Sequence, residues 1–240
     1  MAPSGTFRSA FWTEWKRVIP PATICWVQSN ECATHSSFQV WIRFLGSTVI
    51  ILASGIAFTN CREMVADSNF LPANIQTMAI RRDFLLKNGL EQVPGGIGED
   101  SLLCNQMMFA ARRIEVVPVK VQIYYAERGD SIVNSVTPRF FDKHLLTEVA
   151  RVKWIVPAGL MDPYIKNRYA TYVTRWYFDK LRHADPELAA DCARKLYEIL
   201  KLYDGYYKGG CKEIDAFLAK CRAGDFHGAY ELTTSMKNKD

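Results

Sequence analysis

The alternation of apolar and polar positions divides the chain into a mixed first half and a helical second half. Before residue 134, short apolar runs bounded by turn residues are typical of strands, which the pattern predicts at Val49–Leu52 and 114–125. After residue 134 helical spacing dominates and predicts helices at 140–155, 164–182, 187–203 and 214–221, with prolines near the starts of the first three. The pattern therefore predicts an α/β fold that becomes helical toward the C-terminus.

The best-defined element of the first half is a helix predicted over 101–112. Its spacing predicts burial of Leu102, Leu103, Gln106, Phe109 and Ala110. A glycine-rich turn, 95–98, precedes it, and the adjacent carboxylates Glu99 and Asp100 follow that turn. Asp100 is therefore expected in the first turn, where the helix dipole favours an ionised carboxylate. On these residues alone, helix capping and catalysis both remain open.

A charged, glycine-containing loop at 127–131 follows the predicted strand 114–125. A carboxylate at a helix start and an arginine loop after the next strand can converge on one site. Elsewhere, Arg81 and Arg82 either reach a phosphate or lie on a solvated face, and the solvated face is favoured.

The aromatic residues of 164–182 form a stripe, Tyr169, Tyr172, Trp176 and Phe178. Its alternatives are helix packing, which we favour, and a surface on which a sugar stacks. A second apolar stretch, 39–58, is nearly long enough to span a bilayer. Arg43 interrupts that stretch and small residues divide it, so burial in the core is favoured over membrane insertion.

Composition narrows the choice of function. A chain of 240 residues suits one domain, or one domain with a helical appendage. The net charge of +5, without a dense Lys/Arg block, argues against nucleic-acid binding. The seven cysteines include no C-x-x-C pair, and the N-terminal residues lack an apolar signal-peptide core, so reduced thiols in a cytoplasmic protein are expected. Neither a P-loop nor a G-x-S-x-G sequence is present.

An ordered series of motifs carries a resemblance to a known family. The series comprises Ile80–Leu85, Asn88–Leu90, Gly98-Glu99-Asp100, and then Tyr124-Tyr125-x-x-Arg128-x-x-Ser131-Ile-Val-Asn134. It resembles the acceptor half of family 2 glycosyltransferases, enzymes with a GT-A fold, over roughly residues 60–154.

The resemblance implies a partial GT-A-like mixed sheet with flanking helices in residues 1–155, followed by a helical region in 156–240. It implies an inverting enzyme that transfers a sugar from a nucleotide-sugar donor, most often a UDP-sugar. The acceptor would be a glycan or a lipid-linked saccharide, and the expected role is synthesis of a cell-surface polysaccharide. The location would be the cytoplasm, with peripheral association at the inner face of the membrane left open.

The same resemblance assigns roles to individual residues. Asp100 corresponds to the general base, and Glu99 would orient it or bind the acceptor. Arg128 and Ser131 correspond to the loop that contacts the donor diphosphate, for which the planar fork of arginine is suited. Further residues that would line the site are Gly98, Tyr125 and Asn134.

One departure from the family pattern concerns the metal. The complete enzymes hold Mg²⁺ or Mn²⁺ on the diphosphate through a D-x-D motif, and this sequence contains none. Too few residues precede residue 60 for the usual nucleotide-binding half. The chain is therefore expected to be a truncated transferase or a natural remnant of one. The alternatives are a non-catalytic binding or scaffold module and a membrane-associated remnant.

Overall fold

The computed structural model describes three short strands at 23–27, 49–52 and 55–58, and residues 61–71, 75, 78–117 and 135–235. Helices account for most of these residues, so the chain has a helix-rich fold. None of the helices in this described part is long and apolar enough to cross a membrane. Of the stretch 39–58, only the two strands are described, and the membrane alternative for the remainder lies outside the described residues.

The described strands pair into one five-stranded sheet in the order β2-β3-β5-β1-β4. Strand β5 runs parallel to β1, with Arg113 opposite Thr23, and the other pairings are antiparallel. The strands are β1 Thr23–Val27, β2 Val49–Leu52, β3 Gly55–Phe58, β4 Met78–Ile80 and β5 Arg113–Val117. The strand predicted at 114–125 is described only as far as Val117. Val49–Leu52, expected as a central strand, lies at the edge of the sheet.

Three helices belong to the first half: α1 Cys61–Asp67, α2 Arg82–Lys87 and α3 Glu99–Ala110. Helix α3 begins and ends two residues before the predicted helix. Its buried residues are Leu102, Leu103, Cys104, Asn105, Met107 and Met108. The predicted burial of Gln106, Phe109 and Ala110 was wrong, because these three side chains are only half-buried.

The position of Phe109 gives the physical reason for that error. Its ring lies edge-on to Trp154, with the centroids 5.8 Å apart, and the guanidinium of Arg62 lies 4.7 Å from its centroid. Phe109 thus lies at the edge of the core and is only half-buried. The middle of the core instead takes residues from more than one side of α3, since that helix packs against other helices rather than against a sheet alone.

The second half consists of α4 Pro138–Ile155, a long helix α5 at 161–182, α6 Ala189–Lys201, α7 Lys212–Arg222 and α8 Phe226–Ser235. The four predicted helices are present, with ends shifted by up to three residues. Helix α8 was not predicted, because glycine and threonines dilute its pattern. Asp225 begins it by accepting a hydrogen bond from the Gly228 amide at 2.8 Å.

Helix α5 contains two wide π turns, Ile165–Tyr169 and Val173–Tyr177. Residues five apart lie on different faces of an ideal α-helix, but a π turn brings them back to one face. Tyr164 and Tyr169 are accordingly both buried, at 1% and 2% exposure, and both rings lie against Tyr203 in the turn that follows α6. One buried cluster of apolar side chains runs from Cys61 through Ile155 to Ala229, so the two halves share their core.

Candidate functional site

The glycine-rich turn before α3 has the backbone that the sequence predicts. Gly95 and Gly98 have φ values of 73° and 78°, a region that side chains other than glycine rarely adopt. Gly98 occupies the N-cap of α3 and contributes no side-chain oxygen. Glu99 and Asp100 therefore lie in the first turn, at the positive end of the helix dipole, as predicted.

Asp100 is half-buried, and its Oδ1 accepts a hydrogen bond from Nε2 of Gln92 at 2.7 Å. In the part of the chain that the structure describes, no basic side chain lies within ion-pair distance of Glu99 or Asp100. The described hydrogen bond to Asp100 thus comes from a neutral donor and not from a cation.

Cys104 lies one turn beyond Asp100 in α3 and is fully buried. Burial raises the pKa of its thiol, and the nearby charge of Asp100 raises it further. The thiol is thus protonated at neutral pH and is not a nucleophile. Cys61, Cys104, Cys192, Cys211 and Cys221 form no disulfide bonds.

The turn rests on α4. The Ile97 amide donates to the carbonyl of Lys143 at 3.4 Å. A Cβ on Gly98 would lie 3.4 Å from Cε1 of His144 and 3.6 Å from the hydroxyl of Tyr172. A Cβ on Gly96 would overlap the hydroxyl of Thr147. The two glycines therefore allow the turn to approach α4 more closely than other residues would.

A buried polar network continues from this contact into the protein. The Tyr177 hydroxyl lies 3.5 Å from Nδ1 of His144 and donates to Oε1 of Glu148 at 3.2 Å. The Tyr203 hydroxyl donates to the other oxygen of Glu148. Nε of Arg151 donates to both oxygens at 3.2 Å. Glu148, 1% exposed, thus has donors from α4, from α5 and from the turn that follows α6.

The pKa values of this network follow from its burial. Burial lowers the pKa of His144 to about 4, although the Glu148 charge opposes the change. Burial and the charge of Glu148 both raise the pKa of Tyr177 and of Tyr203. Burial alone would lower the pKa of Arg151, but Glu148 and the neighbouring tyrosines together raise it above its usual value. At neutral pH the histidine and the tyrosines are therefore neutral and the arginine is charged.

The other site residues predicted from sequence, Tyr125, Arg128, Ser131 and Asn134, lie outside the described residues. Conversely, sequence reasoning assigned no role to His144, although the structure brings it against the turn. Polar residues recur on one face of α4 at helical spacing, at positions 144, 147, 148 and 151, beside the buried Phe140, Phe141 and Ile155. That polar stripe on an apolar face is the signal that marked a buried network.

The divalent cation implied by the resemblance does not fit the described part of the chain. The sequence has no D-x-D, and no group of three or more His, Cys, Asp or Glu side chains in the described ranges is arranged to hold a metal ion. Glu99 and Asp100 supply two carboxylates, fewer oxygens than Mg²⁺ or Mn²⁺ requires from a protein site of its own. No step is assigned to a metal on these residues.

No protein-family model, curated protein or solved structure matches the chain.

Proposed function

We propose that the chain takes part in inverting glycosyl transfer, with Asp100 as the general base. The observation that carries this proposal is the state of Asp100: a half-buried carboxylate at a helix start, oriented by Gln92 and not neutralised by any described cation. The ordered series of motifs around Gly98-Glu99-Asp100 supports the same assignment.

The proposed reaction transfers the sugar in one step. Asp100 takes the proton of an acceptor hydroxyl while that oxygen bonds to the anomeric carbon of the donor sugar. The bond from the anomeric carbon to the diphosphate oxygen breaks, and the nucleoside diphosphate leaves with the bonding pair. Because this is a single displacement, the anomeric configuration inverts. A positioned base contributes about 10²–10⁴-fold to such a rate.

Neighbouring residues take supporting roles in this proposal. Glu99, one position earlier in the first turn, binds the acceptor or orients Asp100. Gly98 lets the turn reach the site without a side chain in the way. Arg128 and Ser131 contact the donor diphosphate, and Tyr125 and Asn134 line the site. The donor is a UDP-sugar, and the acceptor is a glycan or a lipid-linked saccharide of a cell-surface polysaccharide.

The same proposal extends to the fold of the first half of the chain. We propose that the mixed sheet and helices α1–α3 form the acceptor-side part of a GT-A-like domain. The parallel pairing of β5 with β1, and the position of α3 directly before β5, support it. The Mg²⁺ or Mn²⁺ of a complete enzyme would be held by residues other than the described ones.

The test replaces the chromosomal codon in the organism that encodes the chain, so that the protein acts in its own context. Surface polysaccharide is isolated from strains carrying wild type, a deletion, Asp100→Asn or Asp83→Asn, and its monosaccharide composition is measured. Asp83 is a matched control because it is a half-buried carboxylate in the first turn of α2, paired with Arg81 at 2.8 Å. Immunoblots establish equal protein levels.

We expect Asp100→Asn to reproduce the deletion and Asp83→Asn to match wild type. A deletion that changes the polysaccharide, together with a normal Asp100→Asn strain, would remove Asp100 from the chemistry. A deletion without any change in surface glycans would argue for the non-catalytic binding module instead.

A further inference from the structure

We propose that His144 is a positioning residue for the turn that carries Glu99 and Asp100, and that it joins this turn to the buried carboxylate of Glu148. The meaning of the turn as a catalytic element rests on the proposed function. The mechanical link between the turn and the network rests on the contacts alone.

The first step is the contact between the ring and the turn. The edge of His144 that carries Cε1 and Nδ1 faces Gly98, so closely that a Cβ there would lie 3.4 and 3.6 Å from those two atoms. The preceding residue of α4, Lys143, accepts the Ile97 amide through its carbonyl. Two consecutive residues of α4 thus lie against two consecutive residues of the turn, directly before the carboxylates.

The second step is the direction of the hydrogen bonds. A tyrosine hydroxyl has one proton, and Tyr177 gives its proton to Glu148, which can only accept. The Tyr177 oxygen is therefore the acceptor toward His144, and Nδ1 of the neutral imidazole carries the hydrogen. This fixes the tautomer of His144 and with it the orientation of the ring edge that meets Gly98.

The third step is the rigidity of the anchor. Glu148 accepts hydrogen bonds from Tyr177 of α5, from Tyr203 in the turn after α6 and from Arg151 of its own helix. The ring of His144 is also enclosed, with the centroids of Phe140 and Tyr177 4.6 and 5.2 Å away. A displacement of the ring would break its contact with the Tyr177 hydroxyl, which is itself bonded to Glu148, so the ring restrains the turn that lies against it.

The two nitrogens of His144 differ, and this difference gives the test. Nδ1 faces Tyr177, whereas Nε2 is buried and has no hydrogen-bond partner in the described part of the chain. Asparagine places its amide near the position of Nδ1, glutamine places its amide near Nε2, and phenylalanine keeps only the ring. If positioning acts through Nδ1, His144→Asn keeps it and His144→Gln and His144→Phe lose it.

The experiment is hydrogen–deuterium exchange, read by mass spectrometry or NMR, on the purified chain and these three variants. The probe is the amide of Ile97, which the Lys143 carbonyl protects. Loss of one buried hydrogen bond, about 0.5–1.5 kcal/mol, corresponds to roughly 2- to 12-fold faster exchange through local opening. We expect such acceleration at 96–100 in His144→Gln and His144→Phe, and near-native exchange in His144→Asn.

Phe217→Leu serves as the control for general destabilisation, since Phe217 is fully buried in α7. It should lower the melting temperature and leave exchange at 96–100 unchanged at low temperature. If His144→Phe does not fold, Tyr177→Phe provides the second test, because it removes the acceptor of the Nδ1 hydrogen.

Equal exchange in all three His144 variants, or acceleration by Phe217→Leu as large as that by His144→Phe, would overturn the proposal. These outcomes are independent of the glycan analysis. A failure of Asp100→Asn to alter surface polysaccharide would remove the catalytic function and leave the positioning result standing. A normal Ile97 amide in His144→Gln would remove the positioning role and leave Asp100 as the base.

Discussion

Arg151 lies one helical turn beyond Glu148 on α4, and the two side chains form an ion pair in the interior, at 3% and 2% side-chain exposure. Such a pair is poor evidence of stabilisation by itself, because both charges lose their hydration. Its geometry compensates part of that loss, because both Glu148 oxygens accept from Arg151 and each also accepts from a tyrosine hydroxyl.

The first prediction concerns Glu148→Gln, which keeps the size and removes the charge. Arg151 is left buried without a compensating anion, so we expect a loss of about 3–5 kcal/mol in the free energy of unfolding. Urea denaturation followed by circular dichroism measures it. The double variant Glu148→Leu with Arg151→Met should lose much less, since no isolated charge remains. An unchanged free energy of unfolding in Glu148→Gln would show that Arg151 finds another partner or water.

The second prediction concerns acid. The pKa of His144 is about 4 in the folded chain and about 6.5 when exposed, so the unfolded chain binds more protons between these values. Stability from this group is present above pH 6.5 and is lost as the pH falls toward 4, by roughly 3 kcal/mol. Unfolding free energies of wild type and His144→Asn from pH 7 to 4 test it. The difference between the two curves should shrink or reverse on acidification, and parallel curves would contradict the prediction.

The third prediction concerns Gly96, whose φ is not in the left-handed region but whose Cβ would overlap the Thr147 hydroxyl. We expect Gly96→Ala to lose about 1–3 kcal/mol, as overpacked sites do. Adding Thr147→Ala removes the clashing atom, so the two changes should couple by about 0.5–3 kcal/mol in a double-mutant cycle. Gly205→Ala is the control, because no atom lies within 4 Å of its Cβ position. Simple additivity would place the Gly96 backbone away from Thr147.

The fourth prediction separates Asp100 from helix stability. Gly98 is the N-cap, and Asp100 bonds to Gln92 rather than capping α3. Asp100→Asn keeps an oxygen for Gln92 and loses only the interaction with the helix dipole, about 0.3–1 kcal/mol. Melting by differential scanning calorimetry should therefore stay near that of wild type. A loss beyond about 2 kcal/mol in the free energy of unfolding would mean that the carboxylate has a structural role. The glycan phenotype of this variant would then report instability and not catalysis.

The fifth prediction concerns the donor. Since the sequence has no D-x-D, we expect the purified chain to bind UDP weakly, with or without Mn²⁺. Isothermal calorimetry measures it. A micromolar dissociation constant, about 8 kcal/mol of binding free energy, would show a complete donor site within the chain.

Much of the helical half could be predicted because amphipathic spacing and prolines near helix starts are local signals. The aromatic stripe of α5 shows where such reasoning ends. Tyr169 and Phe178 are buried, as the favoured packing interpretation requires, whereas Tyr172 and Trp176 are half-buried. A period of 3.6 could not separate them, because two π turns change the register between them.

The turn 95–98 and the first-turn position of Asp100 were also within reach of the sequence, since glycine and acidic residues mark a helix start locally. The residues that support this turn could not be predicted from the sequence. His144 and Thr147 lie more than forty positions farther along the chain, and their closeness to the turn depends on how α4 packs. A histidine within a predicted helix is ambiguous, because a buried, a hydrogen-bonded and a catalytic histidine cannot be told apart from the sequence alone.

The two π turns of α5 also predict where a single residue can be deleted from the chain. A wide turn accommodates one residue more than an α-helical turn, while the helix continues in line on both sides. Lys166 and Asn167 are exposed within the first of them. Removal of one of these two would let that turn relax to ordinary α-helix and leave the flanking segments in register with their neighbours. Single-residue deletions should therefore be tolerated at 166–167, whereas in α4 they would rotate the whole polar face away from the turn it supports.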